Sequence, residues 1–540
     1  MRLKTHLVAP LIAYFLYGCA SLSPPDLELL SKIDDFDIVQ QRQDEFLALP
    51  DALSRLTDMR TYSEEVGVLY STESLRLGPL GSALIAKHDA SLNGHLVLRK
   101  FYGPLDEEAA TAHTRWVERI KNHASHGRSG SLSKPYRALT IEDAHAFVVE
   151  RGDSVIGSMY GENDEFPLVA YVIARKPTGD VEKIYFEIRS YERWRELTPD
   201  PGNAQPVDVI RELAQLQDNS AQVAYGIYLL ENAASNPEQR DQIVTTGRNW
   251  LRTASNAPNA LPSYFLANDE VAQRNERGVS WDRVKSRYER AIQLGYTDAQ
   301  VSLGRLYLQG VFGSPERRIG LELFESAAEK NNVDAASALG ALLLSQDPDD
   351  AIDYLRLAAE LGDARHRLAY VRTVVHPPFE QQLSPVAFRW IEGLALDNNQ
   401  EAMILLATIY AKGLYEGNVR IRQARSWYRR SVEVEPTDGQ NVNEVAWVLA
   451  TTHLRRLRNP TLAIKYMDML MSNNAKARTS PEYIDTWAAA YAAAGDFRRA
   501  IELQEEAVAI AEESQSDVKQ ILELHLRNYQ ERKALTEKVP

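Results

Sequence analysis

Apolar residues recur along this chain with two different periods, which divide it into three stretches. Between residues 26 and 60, Leu27, Leu30 and Ile33 lie three positions apart, which places them near one face of a helix. Over residues 65–195 the apolar residues form compact or alternating runs instead. Helical spacing then returns and continues through the rest of the sequence. The pattern therefore predicts short helices, then a mixed segment, then an all-helical part.

The mixed segment contains runs of β-branched and aromatic residues bounded by glycine, proline and aspartate, which is the pattern of strands. The predicted strands are residues 96–101, 154–160, 168–173 and 183–188, and the predicted helices are residues 105–122 and 141–151. Residues 177–180 predict a turn that joins the last two strands into a hairpin. The sequence thus predicts a small α+β domain here.

The helical part repeats the pattern Ala-x-x-x-Leu-Gly-x-x-Tyr, most clearly from Ala299 through Leu303 and Gly304 to Tyr307. Copies begin at Ala221, Ala260, Ala299, Ala335, Ala364 and Ala402, at spacings of 39, 39, 36, 29 and 38 residues. One pair of helices cannot bury its apolar face alone, so successive pairs must stack. Small residues are expected where two helices cross closely, and large apolar residues between neighbouring pairs.

This pattern resembles Sel1-like repeats, a variant of the tetratricopeptide repeat, over about residues 205–435. Residues 441–540, and 486–500 most clearly, are similar to plainer tetratricopeptide repeats, and the polar residues 514–534 are expected to form a capping helix. The resemblance implies a mainly α fold, a right-handed α-solenoid of helix pairs preceded by the small α+β domain. It also implies a protein that binds other proteins and catalyses nothing.

Residues 1–19 have the features of a bacterial export signal. Two basic residues precede an apolar stretch at 7–17, which is shorter than the roughly 20 residues that a membrane-spanning helix needs. The stretch ends in Leu16-Tyr17-Gly18-Cys19, which resembles the lipobox of bacterial lipoproteins. The resemblance implies lipidation of Cys19 and, because no aspartate follows it, an outer-membrane anchor that faces the periplasm. The alternative is a plain secretory signal with an incidental cysteine.

Charge and cysteine content exclude several functions. The chain has 61 Lys+Arg against 75 Asp+Glu, a formal net charge of −14, and it lacks the basic stripe that nucleic-acid binding requires. Its single cysteine excludes a disulfide framework and any zinc site that needs two thiolates. We expect neither nucleic-acid binding nor a cofactor.

Three small clusters in the mixed segment could in principle form a metal-binding or catalytic site. His123 and His126 have the spacing of a metal pair, and Ser131 and Lys134 that of a serine–lysine acylase. The acidic residues around 162–165 would suit a cation only with the spacing of a calcium loop, which they lack. Each cluster is expected to lie in a solvated loop or turn, so no catalytic and no metal-binding residue is predicted.

Arginines recur at three places in the helical part, near residues 310–320, 420–430 and 455. The candidate basic residues are Arg317, Arg318, Arg422, Arg425, Arg429 and Arg430. If they share a concave groove, they suit an acidic peptide or an anionic polymer. Otherwise they form solvated helix faces of an acidic protein.

The expected organisation is a signal peptide (1–18), a tether with short helices (19–60), the α+β domain (61–200), Sel1-like repeats (201–440) and tetratricopeptide-like repeats with a capping helix (441–540). This layout resembles repeat lipoproteins of exopolysaccharide export, such as the alginate one. It implies a scaffold for an envelope complex, whose partners are other envelope proteins such as an outer-membrane porin or a synthase complex. The alternative is a cell-wall enzyme, or an activator of a cell-wall synthase, carried by the α+β domain with the repeats as a docking arm.

Overall fold

The computed structural model describes residues 35–72, 75–235, 237–273, 278, 280–513 and 517–539. The chain divides into two compact units, residues 1–330 and residues 331–540, here called the first unit and the second unit. The predicted boundaries near residues 200 and 440 each fall inside one of these units and stay predictions. The signal peptide and Cys19 lie outside the described residues. Among the described helices, none combines the length and the apolar character needed to cross a membrane.

The described part of the first unit starts with five helices. They are α1 (Asp35–Leu47), α2 (Ala52–Leu69), α3 (Leu77–Lys87), α4 (Leu92–Tyr102) and α5 (Glu107–Ser125). The strand predicted at 96–101 is therefore wrong, because these residues belong to α4. Leu96, Val97 and Leu98 are all buried, and a helix that is buried on every side shows a continuous apolar run without helical period. The hydroxyl of Ser91 caps the helix by accepting the Gly94 N–H at 3.2 Å.

A four-stranded sheet follows the helices. Its elements are β1 (Tyr136–Ala138), α6 (Ile141–Glu150), β2 (Ser154–Gly161), β3 (Val169–Arg175) and β4 (Val181–Ile188). The strand order is β1-β4-β3-β2, with β1 parallel to β4 and the other pairs antiparallel. The three strands predicted from 154 onwards are confirmed. So is the turn at 177–180, where Gly179 adopts a φ of 98°.

Paired helices complete the first unit. They are α7 (Tyr191–Trp194), α8 (Pro206–Gln215), α9 (Asn219–Asn232), α10 (Arg240–Ala254), α11 (Leu261–Ala272), α12 (Trp281–Gln293), α13 (Thr297–Gln309) and α14 (Arg317–Ala328). Two pairs cross through opposed glycines, as the repeat pattern predicts. A Cβ on Gly247 would stand 2.9 Å from the carbonyl oxygen of Gly226, and one on Gly320 would stand 3.0 Å from that of Gly304.

The second unit consists of helices alone within its described residues. They are α15 (Val333–Leu343), α16 (Pro348–Leu361), α17 (Ala364–Val375), α18 (Pro385–Leu396), α19 (Gln400–Lys412), α20 (Ile421–Val434), α21 (Gly439–Thr451), α22 (Pro460–Asn473), α23 (Pro481–Ala494), α24 (Phe497–Glu513) and α25 (Lys519–Gln530). One hydrophobic core extends from Leu355 to Val539. The predicted fold class, mainly α with repeated helix pairs after a small α+β domain, is confirmed.

A methyl group at the crossing of α13 and α14 should destabilise the first unit. A Cβ on Gly304 would stand 2.9 Å from the Phe324 ring and 3.0 Å from the Gly320 carbonyl oxygen. We expect Gly304→Ala to lower the free energy of unfolding by about 1–2 kcal/mol, since overpacking outweighs the gain in helix propensity. Gly67→Ala is the matched control, because Gly67 lies in α2 with nothing within 4 Å of its Cβ position.

The control should raise the free energy of unfolding by up to about 1 kcal/mol. Urea denaturation of the two variants measures both effects. If Gly304→Ala and Gly67→Ala changed the free energy of unfolding by the same amount in the same direction, the close approach of α13 and α14 would not be needed for stability.

Candidate partner-binding site

The six arginines singled out from the sequence belong to both units. Arg317 and Arg318 begin α14 in the first unit, where Arg318 forms an ion pair with Glu322. The other four lie on α20 in the second unit. The hypothesis that all six line one groove therefore stays a prediction, and the surroundings of the α20 arginines are the part that the structure describes.

The arginines of α20 lie opposite its buried face, which is formed by Ala424, Tyr428, Ser431 and Val432. Arg425 donates to the carbonyl of Arg456, and Arg430 donates to the side-chain oxygen of Asn398 at 2.9 Å. Arg429 pairs with Glu433 at 3.5 Å, and both side chains are mostly exposed. Arg422 is exposed as well. These contacts are those of a solvated helix face, on which ion pairs contribute little stability.

His123 and His126, the histidines considered as a metal pair, differ in their burial. His123 is 1% exposed at the end of α5, so the loop predicted for it is wrong, whereas His126 is exposed just after the helix. Ser131 and Lys134 are exposed, as predicted for a loop. Among the described residues, no group of three or more metal-ligating side chains comes together.

His145 is the histidine that contacts a serine. Its Nε2 lies 3.0 Å from the hydroxyl of Ser158 on β2, and that hydroxyl lies 2.6 Å from the hydroxyl of Ser220 on α9. Burial lowers the pKa of His145 to about 4, so the ring is neutral at pH 7. Ser158 is only 4% exposed. The contact therefore joins the sheet to the first repeat helices.

A buried histidine makes the first unit sensitive to acid. His88 is 3% exposed, its Nε2 has no hydrogen-bond partner among the described residues, and its ring packs 4.5 Å from that of Phe46. Burial lowers the pKa of His88 from 6.5 to about 3. The unfolded chain therefore takes up a proton below pH 6.5 that the folded chain refuses, and stability falls as the pH drops from 6.5 towards 3.

We expect His88→Phe to remove this contribution. Relative to the natural protein, the variant should gain about 2 kcal/mol between pH 7 and pH 5, because each pH unit below 6.5 costs the histidine about 1.4 kcal/mol. Other titrating groups are common to both proteins and cancel in the difference. Denaturation at a series of pH values checks this, and parallel pH profiles for the two proteins would contradict it.

The second unit contains an open pocket of about 530 Å³, here called the arginine pocket. Its walls come from the connection before α22, the turn between α23 and α24, and the chain after α25. The lining residues are Arg455, Arg458, Pro460, Ala492, Ala493, Ala494, Gly495, Phe497, Arg532 and Ala534. Two distant parts of the sequence thus bring three guanidinium groups to one cavity, Arg455 and Arg458 from the first and Arg532 from the second.

Two of these arginines are fixed by the fold, and one is not. Arg458 donates to two backbone carbonyls, at 2.9 and 3.0 Å. The guanidinium of Arg532 lies over the ring of Phe497, 5.9 Å from its centroid. Arg455 is exposed and makes no hydrogen bond, ion pair or ring contact within the part of the chain that the structure describes. Arg455 is therefore the cation that a ligand would meet first.

Residues 533–539, here called the return segment, complete the pocket by coming back to the end of α21. The Glu537 N–H donates to the carbonyl of Thr451, and the Glu537 carbonyl accepts the N–H of His453, both at 2.8 Å. The Glu537 carboxylate accepts the indole N–H of Trp447 at 3.0 Å. These contacts hold Arg532 and Ala534 in the pocket wall.

The pocket is positively charged within an acidic protein. Among the described residues, no aspartate or glutamate lines it. The acidic neighbours in sequence are engaged elsewhere, since Asp496 accepts the Arg499 N–H at 3.1 Å and Glu531 pairs with Lys533 at 2.7 Å. Guanidinium groups bind carboxylates through paired hydrogen bonds, so the arrangement suits an anionic ligand.

A second pocket, of about 340 Å³, differs because it is lined by the carboxylates of Asp468 and Glu506 and because several of its polar groups already have partners. The indole N–H of Trp487 donates to Asp468 at 2.8 Å, and Arg478 donates to two backbone carbonyls. We therefore take the arginine pocket as the candidate partner-binding site.

Comparison with known proteins identifies three Sel1 repeats in the chain, at residues 297–332, 336–363 and 400–433. The predicted resemblance to Sel1 repeats is thereby confirmed, and repeats of this type indicate a protein-interaction scaffold. No curated protein matches the chain in sequence.

Three solved structures illustrate the similarity. A Sel1 repeat protein from Oxalobacter formigenes is 21% identical over 46% of this chain and 96% of its own, with a TM-score of 0.32. A protective antigen of uropathogenic Escherichia coli with an SLR fold is 13% identical over 88% and 98%, with a TM-score of 0.34. Yeast Tom70 is 11% identical over 96% and 91%, with a TM-score of 0.30.

Proposed function

Because the chain contains Sel1 repeats, we propose that it is a scaffold that holds other envelope proteins from the periplasmic side of the outer membrane. The repeats of the second unit supply the docking surface, and the lipid on Cys19 supplies the anchor. The observation that carries the proposal is the arginine pocket, a charged cavity whose exposed cation has no internal partner. A structural core gains nothing from such a group, whereas a docking site uses it.

The anchor follows from the amino-terminal sequence. Cys19 is the only cysteine of the chain and stands at the end of the predicted signal. Three acyl chains on one residue bury many methylene groups, at about 0.8 kcal/mol each, which is enough for stable membrane attachment. Attachment would keep the second unit near partners in the same membrane.

Replacing Cys19 should change the cell fraction in which the protein is found. We expect Cys19→Ser to shift it from the outer-membrane fraction to the soluble periplasm or to leave it unprocessed, because no lipid can be attached. Fractionation of intact cells with immunodetection measures this. A Cys19→Ser variant that stays in the outer-membrane fraction would contradict the anchor.

Cross-linking tests the scaffold itself. Full-length protein is treated in intact cells with an amine-reactive cross-linker and purified, and the linked peptides are identified by mass spectrometry. We expect links to an envelope protein from the exposed Lys465 and Lys476 of the second unit. Links from the exposed Lys134 alone would transfer the function to the α+β domain and favour the cell-wall alternative.

A further inference from the structure

The arginine pocket combines charge with hydrocarbon. Beside its three arginines, the wall consists of a run of alanines at 492–494, Pro460 and Phe497. A ligand that fills this cavity must present carboxylates to the guanidinium groups and apolar groups to the remaining wall. The hydroxyl groups of an anionic sugar would lose their hydrogen bonds to water when they contact the alanines, and the alanine side chains offer no hydrogen bonds in return.

We propose that the arginine pocket binds an acidic segment of a partner protein in which aliphatic side chains alternate with glutamate or aspartate, with Arg455 meeting the carboxylates. This specifies the partner chemistry of the proposed scaffold and therefore rests on it. A peptide supplies both kinds of group within a few residues, whereas an acidic polysaccharide supplies carboxylates among hydroxyls.

The return segment makes this site depend on an intact fold. Arg532 precedes the return segment and Ala534 lies within it, and Glu537 bonds this segment to the end of α21. The guanidinium of Arg458 donates to the carbonyl of Leu535 at 3.0 Å. Because this hydrogen bond stabilises the fold, we do not choose Arg458 for the test of ligand binding. Arg455 can be replaced without breaking any contact that the structure describes, which makes it the residue to change.

The test is fluorescence anisotropy with the purified full-length protein. The probe is a labelled Gly-Glu-Leu-Glu-Glu-Leu-Gly peptide with an amidated carboxyl end, and its comparison is the same peptide with glutamine in place of glutamate. A uronic acid heptamer competes in a third arm. The variants are Arg455→Gln, Arg455→Lys and, as the matched control, Arg389→Gln, which removes the same charge from an exposed position of the same unit.

We expect the acidic peptide to bind, and Arg455→Gln to raise its Kd about tenfold or more, as for a hydrogen bond to a charged group. Arg389→Gln should change the Kd by less than about twofold, Arg455→Lys should recover part of the affinity, and the glutamine peptide should not bind. Binding should also weaken as salt is raised.

Four results would overturn the proposal: no binding of the acidic peptide, equal losses for Arg455→Gln and Arg389→Gln, binding of the glutamine peptide, or displacement by the uronic acid heptamer at lower concentration than by unlabelled peptide. The last result would identify an anionic polysaccharide as the ligand. If one of these results is obtained while Lys465 and Lys476 still cross-link to an envelope protein, the proposed scaffold stands and only the proposal of an acidic ligand is wrong.

Discussion

Replacing Arg60 with methionine should lower the free energy of unfolding of the first unit by about 3–5 kcal/mol, the cost of removing one partner from a buried charge cluster. Arg60 lies on α2 and is 7% exposed. Its guanidinium donates to the carbonyl of Leu216 at the end of α8 and lies 3.3 Å from a carboxylate oxygen of Glu64. The side chain thus ties the amino-terminal helices to the first repeat helices.

The carboxylates around Arg60 account for the size of the effect. Burial, and then the charge of Asp218, raise the pKa of Glu142 to about 7, whereas the charge of Arg60 lowers it. Asp218 is itself 4% exposed and accepts the hydroxyl of Tyr160 at 3.2 Å. Without Arg60, the buried Asp218 and the half-buried Glu142 would lose the cation that offsets the cost of their charges.

Denaturation of Arg60→Met and a matched variant measures this contribution. Methionine keeps most of the aliphatic volume, so the loss reports the charge. The control is Arg55→Met on the same helix, where Arg55 pairs with Asp51 at 2.9 Å and is 33% exposed, and it should cost less than about 1 kcal/mol. Adding Glu142→Gln to Arg60→Met should restore part of the stability. Equal losses for the two arginines, or no rescue, would contradict the account.

Tyr428→Ala should cost the second unit about 3–5 kcal/mol, the range for removing a fully buried aromatic side chain. Tyr428 is 0% exposed on α20, and its ring fills the space beside α19. Its hydroxyl lies 2.8 Å from that of Thr408, which is 3% exposed, so the two groups satisfy each other. The variant loses both the packing and this hydrogen bond.

The conservative variants separate the two contributions. Tyr428→Phe keeps the ring but leaves the Thr408 hydroxyl buried without its partner, which should cost about 1–3 kcal/mol. Adding Thr408→Val to Tyr428→Phe removes both polar groups and should recover most of that loss. Urea denaturation of the second unit provides the measurement. A Tyr428→Phe variant as unstable as Tyr428→Ala would show that packing contributes little at this position.

The repeat part of the fold could be predicted because its period is long and its small residues have one physical role. Gly304 stands in the repeat pattern and does lie where α13 crosses α14. The strands after residue 154 could be predicted equally well, because the alternation of apolar and polar residues and a turn that contains glycine are local signals. The predicted strand at 96–101 was wrong because α4 is buried on all sides, and burial of that kind removes the period from which a helix is recognised.

The candidate site was less accessible to sequence reasoning. Arg458 and Arg532 are 74 positions apart in the sequence and both line the arginine pocket. No local pattern marks Glu537 as the residue that bonds the return segment to the end of α21. The sequence did indicate basic residues near 455, but most of the predicted residues were arginines of α20, of which Arg429 is exposed and Arg430 is half-buried.

Site-specific photo-cross-linking in intact cells tests the central claim, docking of a partner on the second unit, most directly. A photoreactive phenylalanine replaces the exposed Thr461, next to Pro460 of the pocket wall, in the full-length protein. In a second strain it replaces Leu132, which is 47% exposed in a loop of the first unit. The scaffold predicts a covalent adduct with an envelope protein from position 461 and none from position 132. An adduct from position 132 without one from position 461 would contradict it and assign partner binding to the α+β domain.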